Sequence, residues 1–257
     1  MKAGISASDL DDALASLQQL GGDLPARAHA DALNHVGNIA RRELQREMST
    51  VFDRPTPFTL NSVRIINATP SKLEVELWVK DDKENNSKAL APEDWVAPQV
   101  FSGGRVDKKS ESLLRAKGIL PAGLFVVPGA GAKLDQYGNL SRGQVLQILS
   151  GLSAAEGARG YTANASESAR SLRKGHAKAF FVMRRGKTPI GIAERRGKEL
   201  VVVLAFVKQP QYRERFKFHD VVRRTAENDA LLEASIDKSI ARALDGRAPS
   251  RFRRGDR

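Results

Sequence analysis

The stretch Val51–Ile66, VFDRPTPFTLNSVRII, decides the fold, because a helical period gives way there to an alternating one. Pro55 and Pro57 fix two φ angles and bias the residues before them toward extended backbone. A helix arriving from the N-terminal side must therefore stop before Pro55. On that side Leu33, Val36, Ala40, Leu44 and Met48 recur at helical spacing, which predicts a helix over residues 26–50. Arg41, Arg42 and Arg46 share its polar side with Glu43 and Glu47. On the other side Thr59 and Asn61 favour a turn. Val63–Ile66 reads as extended, and Leu73, Val75, Leu77 and Val79 alternate with Glu74, Glu76 and Trp78, the pattern of a half-buried strand. Asn67–Lys72 then becomes a hairpin connection.

Outward from this centre the pattern is uneven. Residues 1–26 read as an N-terminal arm or a short helix capped by Ser8, with Leu10, Leu14 and Leu17 on one side. Residues 80–104 read as a polar excursion; Trp95 and Phe101 are either its buried anchors or interface residues. A short helix is expected around Leu113 and Leu114, closed by Gly118, and a short strand over Leu124–Val127. Ser141 with Gln144 three residues on has the form of a capping box before Val145, Leu146, Ile148 and Leu149. Residues 153–178 form a second excursion. Phe180–Met183, Ile190–Ala193 and Leu200–Val207, joined by short charged segments with one Gly each, predict a β-meander. A long helix then runs through Val222, Leu232, Ile236, Ile240 and Leu244, and residues 246–257 are a basic disordered tail.

The expected fold class is therefore α+β: mostly antiparallel sheet packed with a long N-terminal and a long C-terminal helix, in a single domain over 27–245. The chain of 257 residues carries a formal charge of +12, unevenly spread. Residues 159–257 hold 24 Lys or Arg against 11 Asp or Glu, whereas residues 1–158 hold 18 against 19. A basic C-terminal part suits nucleic acid or an acidic partner. Arg170, Arg173, Lys174, Lys178, Arg251, Arg253 and Arg254 are the candidate contacts.

The composition also excludes chemistry. With no cysteine there is neither disulfide nor thiolate site. His29, His35, His176 and His219 lack ligand spacing, so no metal is expected. The stretch PGAGAK (128–133) departs from a phosphate loop, because Ala132 precedes Lys133 and Leu134 stands where Ser or Thr would be. No nucleophile elbow occurs either. The reading is of a non-enzyme without cofactor. The acidic N-terminus lacks a signal-peptide pattern, and the longest apolar run, Leu200–Val207, is too short for a membrane span. A soluble product of the cytoplasm with no membrane contact is expected.

Four stretches carry a resemblance: FDRPTPFTLNSVRI (Phe52–Ile65), APQVFSGGR (Ala97–Arg105), ILPAGLFVVPGAGAKLDQYGNLSRGQVLQILS (Ile119–Ser150) and FVKQPQYRERFKF (Phe206–Phe218). They resemble tailed-bacteriophage and prophage proteins of the minor tail or neck type, most closely tail-completion proteins. The resemblance implies a structural virion protein at the head–tail junction, joining the tail to the head connector around the genome channel. It implies no activity and no cofactor. Partners would be the connector, the tail terminator or the tail tube, with a homo-oligomeric ring and non-specific contact with packaged DNA. The location would be the virion, and the host cytoplasm during assembly. Tail tube, tail terminator and capsid accessory roles stay open, as does a non-specific nucleic-acid-binding protein. The candidate interface residues are Pro55, Pro57, Phe58, Trp95, Phe101 and Tyr137.

Overall fold

A helix with one continuous apolar seam needs a surface to cover it, and here the long N-terminal helix is covered on more than one side. The computed structural model describes residues 1–6, 24–81, 90–154, 169 and 179–244. Helix α1 (Leu24–Val51) has Leu33, Val36, Ala40, Leu44 and Met48 fully buried. It packs on a three-stranded antiparallel sheet of β1 (Lys2–Ser6), β2 (Val63–Ile66) and β3 (Glu74–Val79), in the order β1-β3-β2. Strand β3 turns Val75, Leu77 and Val79 inward in strict alternation. The register is reinforced at Trp78, whose ring faces Lys2 Nζ at 4.5 Å and the Arg64 guanidinium at 5.7 Å, from the two flanking strands.

Two residues let helix and sheet meet closely. At Gly37 a Cβ would lie 2.5 Å from Val75 Cγ1, so only glycine permits this approach. One turn earlier, the buried Asn34 treats the hairpin connection as a strand partner. Its Nδ2 donates to the Ala68 carbonyl at 3.0 Å, and its Oδ1 accepts the Ala68 N–H at 2.7 Å.

Contacts cluster in two units, Met1–Asp82 with Glu214–Arg257, and Lys83–Arg213, where one body over 27–245 was expected. The first unit is completed by α6 (Phe218–Ala226) and α7 (Asp229–Leu244), both packed on α1. Phe216 and Phe218, fully buried, continue an aromatic row from Phe52, with centroids 5.7 and 5.9 Å apart. The expected single C-terminal helix is thus two. The break falls at Asn228, whose Oδ1 accepts the Leu231 N–H at 3.0 Å and starts a new helix. At the other terminus, Lys2–Ser6 is a strand and no part of an arm. The Ser8-capped helix and the tail 246–257 lie outside the described residues.

The second unit holds α3 (Pro92–Phe101), β4 (Gly103–Gly104), α4 (Lys109–Ala116), β5 (Leu124–Pro128), α5 (Arg142–Gly151), β6 (Phe180–Arg185), β7 (Thr188–Arg196), β8 (Glu199–Lys208) and β9 (Gln211–Tyr212). The four longer strands form an antiparallel sheet, β5-β8-β7-β6, and β4 pairs with β9. The expected meander is β6-β7-β8, with Gly186 and Gly197 at positive φ in its two tight turns. Leu114, Leu120, Ile148, Leu149, Phe180, Ile192 and Leu204 form the core between the helices and this sheet. The segment read as a loop over 80–104 contains α3. Two prolines and a mixed polar pattern concealed it, yet Pro92 sits in the first turn, where its missing N–H costs nothing. Residues 82–89, and 155–178 apart from 169, lie outside the described residues.

Asn34→Ala is expected to lower stability by about 2–3 kcal/mol, because it leaves the buried backbone groups of Ala68 without partners. Gly37→Ala is expected to cost about 1–3 kcal/mol through overpacking against Val75. Gly143→Ala, helical with open space at its Cβ, is expected to gain about 0.4–1 kcal/mol. Urea midpoints at constant m-value check all three.

Candidate functional site

The turn that follows α1 is tied by local hydrogen bonds. Arg54 has φ +45°, and Asp53 holds its guanidinium at 3.0 and 3.2 Å. Thr56 then caps the short helix α2 (Pro57–Leu60), its Oγ1 accepting the Thr59 N–H at 3.1 Å. From α1, Gln45 Nε2 donates to the Leu60 carbonyl at 3.1 Å. Pro55 is half-buried, and Pro57 is exposed. Phe58 stands 54% exposed on this fixed turn.

In the second unit Trp95 is half-buried on α3, while Phe101 at its end is 60% exposed. The anchor reading of Phe101 is therefore corrected. Helix α3 turns Val96, Gln99 and Val100 inward, and Ser102 and Gly103, at φ +62° and +114°, swing the chain away just beyond Phe101. Tyr137 is half-buried in a turn built on Asp135, whose Oδ1 accepts the N–H groups of Tyr137 and Asn139, both at 2.9 Å. Phe58 belongs to one unit and Trp95, Phe101 and Tyr137 to the other. Arg170, Arg173, Lys174, Lys178, Arg251, Arg253 and Arg254 lie outside the described residues.

In the loop 128–133 the amides of Gly129, Gly131, Ala132 and Lys133 are already engaged. Gly129 and Gly131 donate to the Val203 and Val202 carbonyls at 2.8 Å, continuing the β5–β8 pairing, and Ala132 donates back to Gly129. The Lys133 N–H goes to Gln144 Oε1 at 2.6 Å, while Gln144 Nε2 donates to the Gly131 carbonyl at 3.1 Å. This also corrects the expected capping box. Ser141 Oγ does accept the Gln144 N–H, at 3.3 Å, but the Gln144 side chain is used by the loop, and the Ser141 N–H donates to Lys133.

A second structure missed in the sequence is a charge network on the outer edge of β5. Glu111, 1% exposed, accepts the outward Val126 N–H at 2.7 Å and the Lys108 N–H at 2.7 Å. Arg105 binds both Glu111 oxygens, at 2.5 and 2.6 Å, and reaches the Val126 carbonyl at 3.3 Å. Arg115 holds Asp107 at 2.8 and 2.9 Å and donates to the Leu124 and Pro121 carbonyls. The Arg105 guanidinium also lies 4.7 Å from the Phe125 ring centroid. Burial alone would push the Glu111 carboxyl up; the Arg105 guanidinium and the two backbone N–H groups outweigh it and hold the group below its ordinary value.

A third feature joins α1 to α7. His35, half-buried on α1, is held below the ordinary imidazole value, first by desolvation and then by Lys238, Arg42 and Arg242. One turn back Asp31 is raised by burial, against the pull of Arg242. Farther along the same seam an open cleft of about 360 Å³ lies between Glu43, Arg46 and Glu47 of α1 and Arg224, Asn228 and Leu231. Among the described residues no group of three His, Asp or Glu could hold a metal ion, and no helix is long and apolar enough to cross a membrane. No protein-family model, curated protein or solved structure matches the chain.

Because the folded Glu111 value is depressed, its contribution to stability is fully present above the unfolded value of about 4.3 and is lost as pH falls through the folded value. Glu111→Gln is expected to cost about 3–5 kcal/mol at pH 7, since it leaves Arg105 without its charge partner, and to flatten the acid limb of stability below about pH 4. Denaturant unfolding from pH 7 to pH 3 reads both effects.

Proposed function

We propose that the chain is a structural virion protein of a tailed bacteriophage, placed at the head–tail junction, where it completes the tail and joins it to the head connector around the genome channel. The four stretches that resemble tail-completion proteins support this reading. The structural observation that carries it furthest is the presentation of large apolar side chains on fixed backbone. Phe58 is 54% exposed four residues after Arg54, which has a positive φ, and Phe101 is 60% exposed beside Ser102, also at positive φ. An aromatic side chain held rigid loses little further entropy when a partner covers it, and such residues dominate interface energies.

In this role the protein would act without catalysis or a cofactor. Its partners are copies of itself closing a ring and the connector, tail terminator or tail tube. It sits in the virion after assembly in the host cytoplasm. Pro55 and Pro57 then act geometrically, setting how α1 leaves the sheet and where Phe58 points. A second reading, a nucleic-acid-binding protein without sequence preference, is favoured by the cations gathered around His35. Tail tube, tail terminator and capsid accessory placements are separated from the leading one by locating the protein in particles by electron microscopy.

Virions assembled without the protein are expected to leave filled heads and finished tails unjoined; normal joining in its absence contradicts the reading. Phe58→Ser and Phe101→Ser are expected to change the stability of the isolated protein by no more than about 0.5 kcal/mol. Each is expected to weaken the association it serves by about 2 kcal/mol or more, checked by melting and by the yield of joined particles.

A further inference from the structure

The seam between α1 and α7 concentrates positive charge. His35, Arg42 and Arg46 fall on one stripe of α1, because seven and eleven residues return to almost the same helical angle. Lys238 and Arg242, four apart on α7, face that stripe and act electrostatically on His35 together with Arg42. Arg42, Lys238 and Arg242 are all exposed. Among the described residues none of these three has a carboxylate at ion-pair distance, whereas Arg46 on the same stripe is paired with Glu43, and Arg223 on α6 with Asp220. The acids of α7, Asp229, Glu233 and Asp237, project about 100–180° away from Lys238 and Arg242. Asp31 is the acid that shares this end of the seam. Like charges held together raise the energy of the folded state, and a polyanion would relieve that repulsion.

A second observation gives the seam a direction. The acid-containing cleft with Glu43 and Glu47 lies at one end, and the cations around His35 at the other. From His35 to Arg42 the stripe is about 10 Å long, a length over which duplex DNA presents about six phosphates.

We infer that Arg42, Lys238 and Arg242 form a contact surface for the phosphate backbone of double-stranded DNA. The inference deepens the proposed placement at the genome channel by naming the folded surface that would meet the genome. It reads charge spacing and carries no base specificity, since these contacts lie along a backbone.

The test uses the full-length protein and a random-sequence 30-base-pair duplex, with binding followed by fluorescence anisotropy across a salt series. The triple variant Arg42→Gln/Lys238→Gln/Arg242→Gln is expected to reduce the slope of log K against log salt by about 3. The control Arg223→Gln is expected to leave it nearly unchanged. Melting curves verify that the variants fold; should the triple variant be unfolded, Arg42→Gln alone, at an exposed position, is expected to reduce the slope by about 1. Wild-type slope and affinity in the folded variants overturn the inference. Polyglutamate that binds as tightly as the duplex, and weakens by the same substitutions, also overturns it in favour of an acidic protein partner. Failure here leaves head–tail joining untouched, so the two readings fail separately.

Discussion

The first unit depends on how closely α1 can approach the β2–β3 hairpin. A helix normally stands off a sheet by the depth of its side chains, but at Gly37 there is none, and Val75 fills the space. That approach brings Asn34 within reach of Ala68, where its amide completes the backbone bonding of a chain segment with no strand beside it. A buried N–H or C=O left unpaired costs more than a formed hydrogen bond gains, so the pair fixes helix and hairpin in one register. The remaining positions of the α1 seam, from Leu33 to Met48, then meet β3 on one side and the C-terminal helices on another. The polar stripe with His35 and Arg42 is aimed by the same packing.

The second unit solves a different problem. Strand β5 lies at the end of its sheet, and an open edge invites pairing with another chain. Here its outward groups are taken up by side chains: the Val126 N–H by Glu111, the Val126 carbonyl by Arg105, and the Leu124 carbonyl by Arg115. A carboxylate with 1% exposure is tolerated because each of its oxygens has a backbone N–H and a guanidinium N–H. The edge is closed by charge rather than by another strand.

Much of the fold was legible from periodicity. The α1 seam, the β2–β3 hairpin and the β6-β7-β8 meander follow from local pattern, and so does the α+β class. What escaped was of two kinds. Helix α3 escaped because Pro92 and Pro98 look like helix breakers, although one occupies the first turn and the other is tolerated inside. The division of the C-terminal helix escaped because apolar spacing continues across Asn228, whose capping role needs only one side-chain bond. The rest required tertiary proximity. Asn34 and Ala68 are 34 positions apart, and nothing in the spacing of Arg105 and Glu111 announces a buried pair. The candidate interface was partly legible, since Phe58 and Phe101 are exposed aromatics. The cation cluster around His35 was not, because half of it comes from a helix two hundred residues away.

A surface built this way is only as well defined as the seat of α1 on its sheet. Amide hydrogen exchange at Ala68 in the full-length protein tests that seat most directly. If Asn34 clamps the hairpin to the helix, the Ala68 amide is predicted to be protected as strongly as the amide of Leu44 in the buried seam, opening only when the unit unfolds. Exchange as fast as that of the exposed Ser71 in the same hairpin connection would contradict the account.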